Sequence, residues 1–253
     1  MPSLLHYVLI FGIGALAGLL GGIFGISGGS IAIPSMAFLG HTQQVAQGTS
    51  LVMQLPNLAL GAWQYARRGR LNLRQALVLS ASGMPFTYTG AFAATHMPSR
   101  ELRLFFGCFF IFIGSFSLWN ALRAAERRSA VELRWYHLSG LGALGGFASG
   151  LFGIGGPALV IPSLVLFFGV LQTAAQGMSL FLAAPATLIS LITYARAGDV
   201  DWGAGVALAL GGAVLVSSGV SLAHRLPEKA MRVLFSFFMY ALATVLLVEA
   251  SHV

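Results

Sequence analysis

The sequence predicts an all-α polytopic membrane protein with two homologous halves inverted relative to each other, each a broken or re-entrant helical hairpin followed by three transmembrane helices. Three observations carry this. Of the 253 residues, 57% are apolar and 8% charged, where a soluble domain carries about 25% charged residues, so water is not the main solvent. Ten apolar stretches recur along the chain, and they are continuous rather than alternating, which argues against a β-barrel. The third observation is a set of motifs that recurs in the same order in both halves.

In the first repeat (1–122) the apolar stretches are 4–26, 28–40, 43–66, 71–95 and 101–122. In the second (136–253) they are 136–154, 157–171, 174–195, 202–223 and 231–248. A helix needs roughly 20 apolar residues to cross the hydrocarbon core, so three segments of each half are long enough unaided, whereas 28–40 and 157–171 are not. Length alone leaves open whether the hairpins 4–40 and 136–171 span fully or re-enter. The first stretch has no basic flank of the kind a secretion signal carries and leads into further spans, so it reads as mature structure. Residues 123–135, from Arg123 to Arg134 the most charged stretch of the chain, read as a cytoplasmic linker.

The motifs fix the register between the halves. Phe24-Gly25-Ile26-Ser27-Gly28-Gly29 followed by Pro34-Ser35 answers to Phe152-Gly153-Ile154-Gly155-Gly156-Pro157 followed by Pro162-Ser163. Ala46-Gln47-Gly48-Thr49-Ser50-Leu51 answers to Ala175-Gln176-Gly177-Met178-Ser179-Leu180, and Pro56, Tyr65, Gly69, Pro98 and Arg103 answer to Pro185, Tyr194, Gly198, Pro227 and Arg232.

Basic residues arbitrate between parallel and inverted halves. With inverted halves, Arg67, Arg68, Arg70, Arg74, the linker's Arg123, Arg127, Arg128 and Arg134, and Arg225, Lys229 and Arg232 lie inside, eleven of the 14. Only Arg100, Arg103 and Arg196 lie outside. Parallel halves give nine against five, so the positive-inside bias favours inversion, with both termini outside. The same loop placement accounts for the +7 charge without a nucleic-acid partner.

Inverted repeats with glycine-broken segments at matching positions are the pattern of secondary transporters, whose sites form near the midplane from half-helix ends. Ser27, Gly28 and Gly29, and Gly155, Gly156 and Pro157, interrupt their apolar runs in this way, and each break can start a helix whose first N–H groups lack partners. Two such N-termini converging from opposite faces suit an anion. The third stretch of the first half adds a polar stripe, Gln43, Gln47, Ser50, Gln54, Asn57 and Gln64, on one helical face. Its counterpart carries Gln172, Gln176, Ser179, Ser190 and Thr193, with Ala183 and Ala186 in place of Gln54 and Asn57. Both stripes should face the interior. Pro56 and Pro185 should each kink a helix and free the carbonyls of Val52 and Phe181. The bland readings are close helix packing for the glycines and helix-to-helix hydrogen bonding for the amides.

Other chemistry is poorly supported. The acids Glu101, Glu126, Glu132, Asp199, Asp201, Glu228 and Glu249 fall in loops or at span ends, which argues against a cation pump or cation pore. The histidines at 6, 41, 96, 137, 224 and 252 lie near segment ends, and the lone Cys108 lies in an apolar helix, so no metal site or disulfide framework is expected. No catalytic constellation can be assembled, so neither an enzyme nor a cofactor is expected. Trp63, Tyr65, Trp119, Trp135, Tyr136, Tyr194 and Trp202 read as an interfacial belt.

With its doubled Gly-Gly-Ile-Phe-Gly-Ile-Ser-Gly-Gly-Ser…Pro and Gly-Leu-Phe-Gly-Ile-Gly-Gly-Pro…Pro, each followed by Gln-Gly-X-Ser, the chain resembles the TauE/SafE sulfite exporter family over nearly its whole length. The resemblance implies export of sulfite, sulfoacetate or a related sulfonate or organic anion across a bacterial cytoplasmic (inner) membrane. The family's motifs map onto Ser27, Gly28, Gly29, Gln47, Gly48, Thr49 and Ser50, and onto Gly155, Gly156, Pro157, Gln176, Gly177, Met178 and Ser179. Gln54 and Asn57 join them from the stripe. Thr49 opposite Met178, and Ser27 opposite Gly155, predict unequal half-sites and one off-axis anion. An anion channel, an importer and a non-transporting structural membrane protein are the alternatives, and a homo-oligomer is possible.

Overall fold

The computed structural model describes residues 4–24, 28–67, 72–123, 133–154, 156–223 and 227–251. These form ten α-helices: α1 (Leu4–Phe24), α2 (Gly29–Phe38), α3 (Gln43–Arg67), α4 (Leu73–His96), α5 (Ser99–Arg123), α6 (Trp135–Phe152), α7 (Pro157–Phe168), α8 (Gln172–Ala197), α9 (Trp202–Ala223) and α10 (Glu228–Ser251). The chain is an all-α polytopic membrane protein. Large apolar side chains such as Leu5, Phe105, Phe112, Leu210, Val214 and Phe237 point outward, as a lipid-facing surface requires. Among the described residues, four helical stretches are long and apolar enough to cross a bilayer: Leu5–Phe24, Ser99–Trp119, Ala174–Ala197 and Trp202–Leu222. α3, although 25 residues long, falls outside because its glutamine stripe lowers its hydropathy.

α2 and α7 are short because the chain breaks before them. Gly28 and Gly156 cap them with left-handed backbone, φ 77° and 80°, and no side chain caps either helix. With 10 residues α2 is about 15 Å long, half a hydrocarbon core. Each hairpin folds back on itself, since a Cβ at Gly28 would meet the Ala17 carbonyl of α1 at 2.7 Å and one at Gly156 the Gly145 carbonyl of α6 at 2.8 Å. α3 and α8 run unbroken through Pro56 and Pro185. The Phe181 carbonyl that Pro185 frees accepts a hydrogen bond from Ser80 Oγ of α4 at 3.0 Å.

The two sets of five helices are interleaved. α1 packs against α9 of the other half, and its counterpart α6 against α4, through seams of small residues. A Cβ at Gly18 would lie 2.3 Å from the Gly212 carbonyl, and one at Gly146 2.2 Å from that of Gly83. Helix packing is thus what these glycines serve. The tips of the hairpins are held reciprocally. Phe24 stacks on Phe238 and meets Phe235, at 5.4 Å in each case, while Phe152 stacks on Phe109 and Phe106 at 4.5 and 5.3 Å. Such mutual pairing is the contact pattern of a two-fold axis.

Equivalent helices run in opposite directions where they meet. On α5 and α10, Gly107 lies by Leu247 and Gly114 by Met239, with Ser115 Oγ and Tyr240 Oη 2.8 Å apart. On α3 and α8, Gln47 meets Tyr194, and Leu58 clusters with Leu180 and Ala183.

Candidate functional site

The break before α2 and the break before α7 meet at α3. Gly29, the first residue of α2, sits so close to α3 that a Cβ there would lie 2.5 Å from Gln54 Nε2 and 3.2 Å from the Gly153 carbonyl. Gln54 Nε2 donates to that carbonyl at 2.6 Å and to Ser50 Oγ at 3.3 Å. Ser50 Oγ in turn donates to the Gln47 carbonyl at 2.8 Å. Gly153, left-handed at φ 67°, closes α6 by donating its N–H to Ser149 O, and its Cα faces Gln47, whose Cβ would lie 3.2 Å from a Cβ built there. Gln47, Ser50 and Gln54, one helical turn after another, therefore line the point where the two hairpin tips converge.

This cluster is buried and polar. Gln47, Ser50 and Gln54 are wholly buried, and Gly28, Gly29 and Ser30 are buried with them. Burial of polar groups on this scale demands partners. Gln47 Oε1 has one, the Tyr194 hydroxyl at 2.5 Å, whereas Gln47 Nε2, Ser30 Oγ and Ser149 Oγ have none. The unpartnered amide nitrogen can act only as a donor, and the hydroxyls can donate too. An uncapped helix N-terminus beside these donors makes a site for negative charge. Among the described residues no Asp or Glu is buried, and no three potential metal ligands gather.

Other predicted site residues have different surroundings. Thr49 Oγ1 accepts from the Asp201 N–H at 2.9 Å and holds the turn between α8 and α9. Gly48 admits the same turn, since a Cβ there would clash with the Asp199 carbonyl at 2.0 Å. Asn57 is buried at the α1–α9 seam beside Gly212. Met178 lies in an apolar cluster with Leu79, Leu138, Val160 and Leu182, so the Thr49–Met178 difference follows from what each packs against. Gln176, Gly177 and Ser179 are buried on α8, and Gly156 and Pro157 begin α7. Ser27 and Gly155 lie outside the described residues, as do linker residues 124–132 and the side chains of Gln64, Gln172 and Tyr65.

Tyr194 requires a correction. Instead of joining an interfacial belt it is 0% exposed, tied to Gln47 and in longer contact with the carbonyls of Gly150 and Leu151. Its position near a helix end suggested the membrane surface, but the turn into α9 covers that end. The register match of Tyr65 with Tyr194 was the signal for a site role. Trp119, Trp135, Tyr136 and Trp202 are exposed. Ser30 and Ser149 stand off the polar stripes, and Gly153 is marked in the sequence only by its place in the repeated motif. A groove of about 520 Å³ lined by Leu19, Ser217, Ser218, Ser221 and Leu222 lies along α1 and α9, away from this cluster.

Comparison with known proteins gives a consistent picture. The family model described as sulfite exporter TauE/SafE matches residues 10–246. A "Probable membrane transporter protein YunE" of Bacillus subtilis (strain 168) is 22% identical, covering 97% of this chain and 98% of its own. A "Probable membrane transporter protein" of Xylella fastidiosa (strain 9a5c) is 29% identical over 86% of this chain and 85% of the relative. The "Probable membrane transporter protein MJ0441" of Methanocaldococcus jannaschii is 30% identical over 64% of this chain and 63% of the relative. No solved structure matches.

Proposed function

The chain belongs to the sulfite exporter TauE/SafE family of membrane transporters, and from that premise we propose that it exports a small anion, sulfite, sulfoacetate or a related sulfonate or organic anion, across the cytoplasmic membrane. The observation that carries the reading is the buried, uncapped start of α2 set against the α6–α7 break, with Gln54 between them and the free amide nitrogen of Gln47 beside them. Gln176, Ser179, Gly156 and Pro157 are the matching residues of the second half.

Neutral donors stabilise an anion without holding it as a fixed counter-charge would, which suits release. In a cell that is negative inside, the membrane potential drives an exiting monoanion with about 2.3 kcal/mol per 100 mV, so the direction needs no proton carrier. The antiparallel meeting of α3 with α8 and of α5 with α10 supports halves inverted in the membrane, with the 123–135 linker cytoplasmic and both termini periplasmic. Alternating access would then exchange the roles of the two hairpins.

The test is uptake and counterflow of radiolabelled sulfite, sulfoacetate and sulfate in proteoliposomes, with and without an imposed potential. Saturable, potential-sensitive flux of at least one anion is expected. Flux no greater than in protein-free liposomes for all three would remove anion carriage, and non-saturable flux would make the protein a channel.

A further inference from the structure

We propose that Tyr194 is a positioning residue for the anion: its phenol fixes the Gln47 side chain so that the amide nitrogen, not the amide oxygen, faces the site. The inference rests on the anion-carrier reading above and identifies the group that orders its donors.

Tyr194 and Gln47 stand 147 residues apart in sequence and are both 0% exposed. Their oxygens are 2.5 Å apart, a separation that suits O–H···O and is shorter than N–H···O contacts, so it distinguishes the two ends of the amide. A phenol has one proton to give. Donated to Gln47 Oε1, it leaves the Gly150 and Leu151 carbonyls with longer contacts of 3.3 and 3.5 Å.

The consequence appears at the other end of the amide, where Nε2 carries two protons and has no acceptor. A buried donor left unmade is costly, which points to an acceptor that arrives and departs. The rest of Gln47 cannot shift to find one, because Ser50 holds its carbonyl and Gly153 abuts its Cβ. Rotation of the amide would bring Nε2 to the phenol and leave Oε1 bare, and the 2.5 Å separation favours the orientation in which Oε1 accepts. Turned the other way, the amide would aim an oxygen at the anion and repel it. The site as fixed favours a ligand that is only an acceptor, such as a sulfonate or deprotonated sulfite.

Counterflow of radiolabelled sulfite in proteoliposomes tests this with Tyr194→Phe, Gln47→Ala and the double variant. Tyr194→Phe is expected to raise the apparent KM about tenfold, the worth of one oriented hydrogen bond, and to leave the maximal rate within about twofold. In the Gln47→Ala background it should add nothing further. Equal losses in both backgrounds would mean that Tyr194 acts independently of Gln47, and a tie that merely joins α3 to α8 would lower the maximal rate at unchanged KM; either result overturns the proposal. If Tyr194→Phe does not accumulate, Gln47→Asn, which withdraws the amide from the phenol by one methylene, is expected to raise KM likewise, and an unchanged KM overturns it. Sulfite carriage by the wild type with normal KM in Tyr194→Phe defeats this inference alone. Absence of any anion flux in the wild type defeats both readings.

Discussion

A glutamine inside a membrane helix needs an account at both ends of its amide. Gln44 donates to the Met97 carbonyl at 2.6 Å and accepts from Ser99, clamping α3 to the α4–α5 turn. Gln54 reaches the second hairpin, and Gln47 keeps one end free. The spacing alone places Gln47 and Gln54, though not Gln44, on the face of the polar stripe. The partners of all three, 53, 99 and 147 residues away, depend on how the helices assemble, which local pattern does not encode. Thr49 has its own account in the α8–α9 turn, and Thr49→Val should cost about 1 kcal/mol of stability, read as a lower unfolding temperature in detergent, with KM unchanged. A raised KM would return Thr49 to the binding site. In the same turn, burial raises the pKa of Asp199. A carboxylate whose folded pKa is raised favours folding when protonated, and this contribution fades as pH rises through the folded pKa. Asp199→Asn should therefore raise the unfolding temperature at neutral pH and leave it unchanged in acid below the usual carboxylate range. A lower unfolding temperature at neutral pH would show that the charge is favourable there.

Among the elements, the helices follow the ten apolar stretches closely, because a lipid-facing helix must be apolar along its whole length. The breaks were equally legible from Gly28 and Gly156. What the stretches did not show is which helices pair. The α1–α9 and α4–α6 seams depend on glycines whose purpose is visible only when the partner backbone lies against them. Gly18→Ala and Gly146→Ala should each destabilise by about 1–3 kcal/mol, since the new methyl meets a carbonyl. Gly12→Ala, with no atom within 4 Å of the new carbon, should be neutral or slightly stabilising by helix propensity. Thermal unfolding of the three variants in one detergent checks this, and equal shifts would mean that the seams do not pack so closely. Phe24 and Phe152 pin the hairpin tips to α10 and α5, a task the sequence signalled only by repeating the residue.

At the scale of the molecule, the repeat and its register are readable because the motifs occur in the same order, offset by 128 residues through Pro34 and by 129 from Ala46 onward. The contact symmetry is a property of the assembled chain. Inversion predicts that equivalent loops lie on opposite sides of the membrane. In a Cys108→Ser background, an impermeant thiol reagent applied outside intact cells should label Asp199→Cys and spare its counterpart Arg70→Cys, and labelling of both would favour parallel halves. Equilibrium binding of radiolabelled sulfite to the purified protein tests, without requiring turnover, that an anion sits where the hairpin tips meet α3. Gln47→Ala should weaken binding about tenfold or more, while Gly12→Ala should leave it unchanged. Equal affinity in the wild type and Gln47→Ala would place the anion elsewhere and contradict the claim.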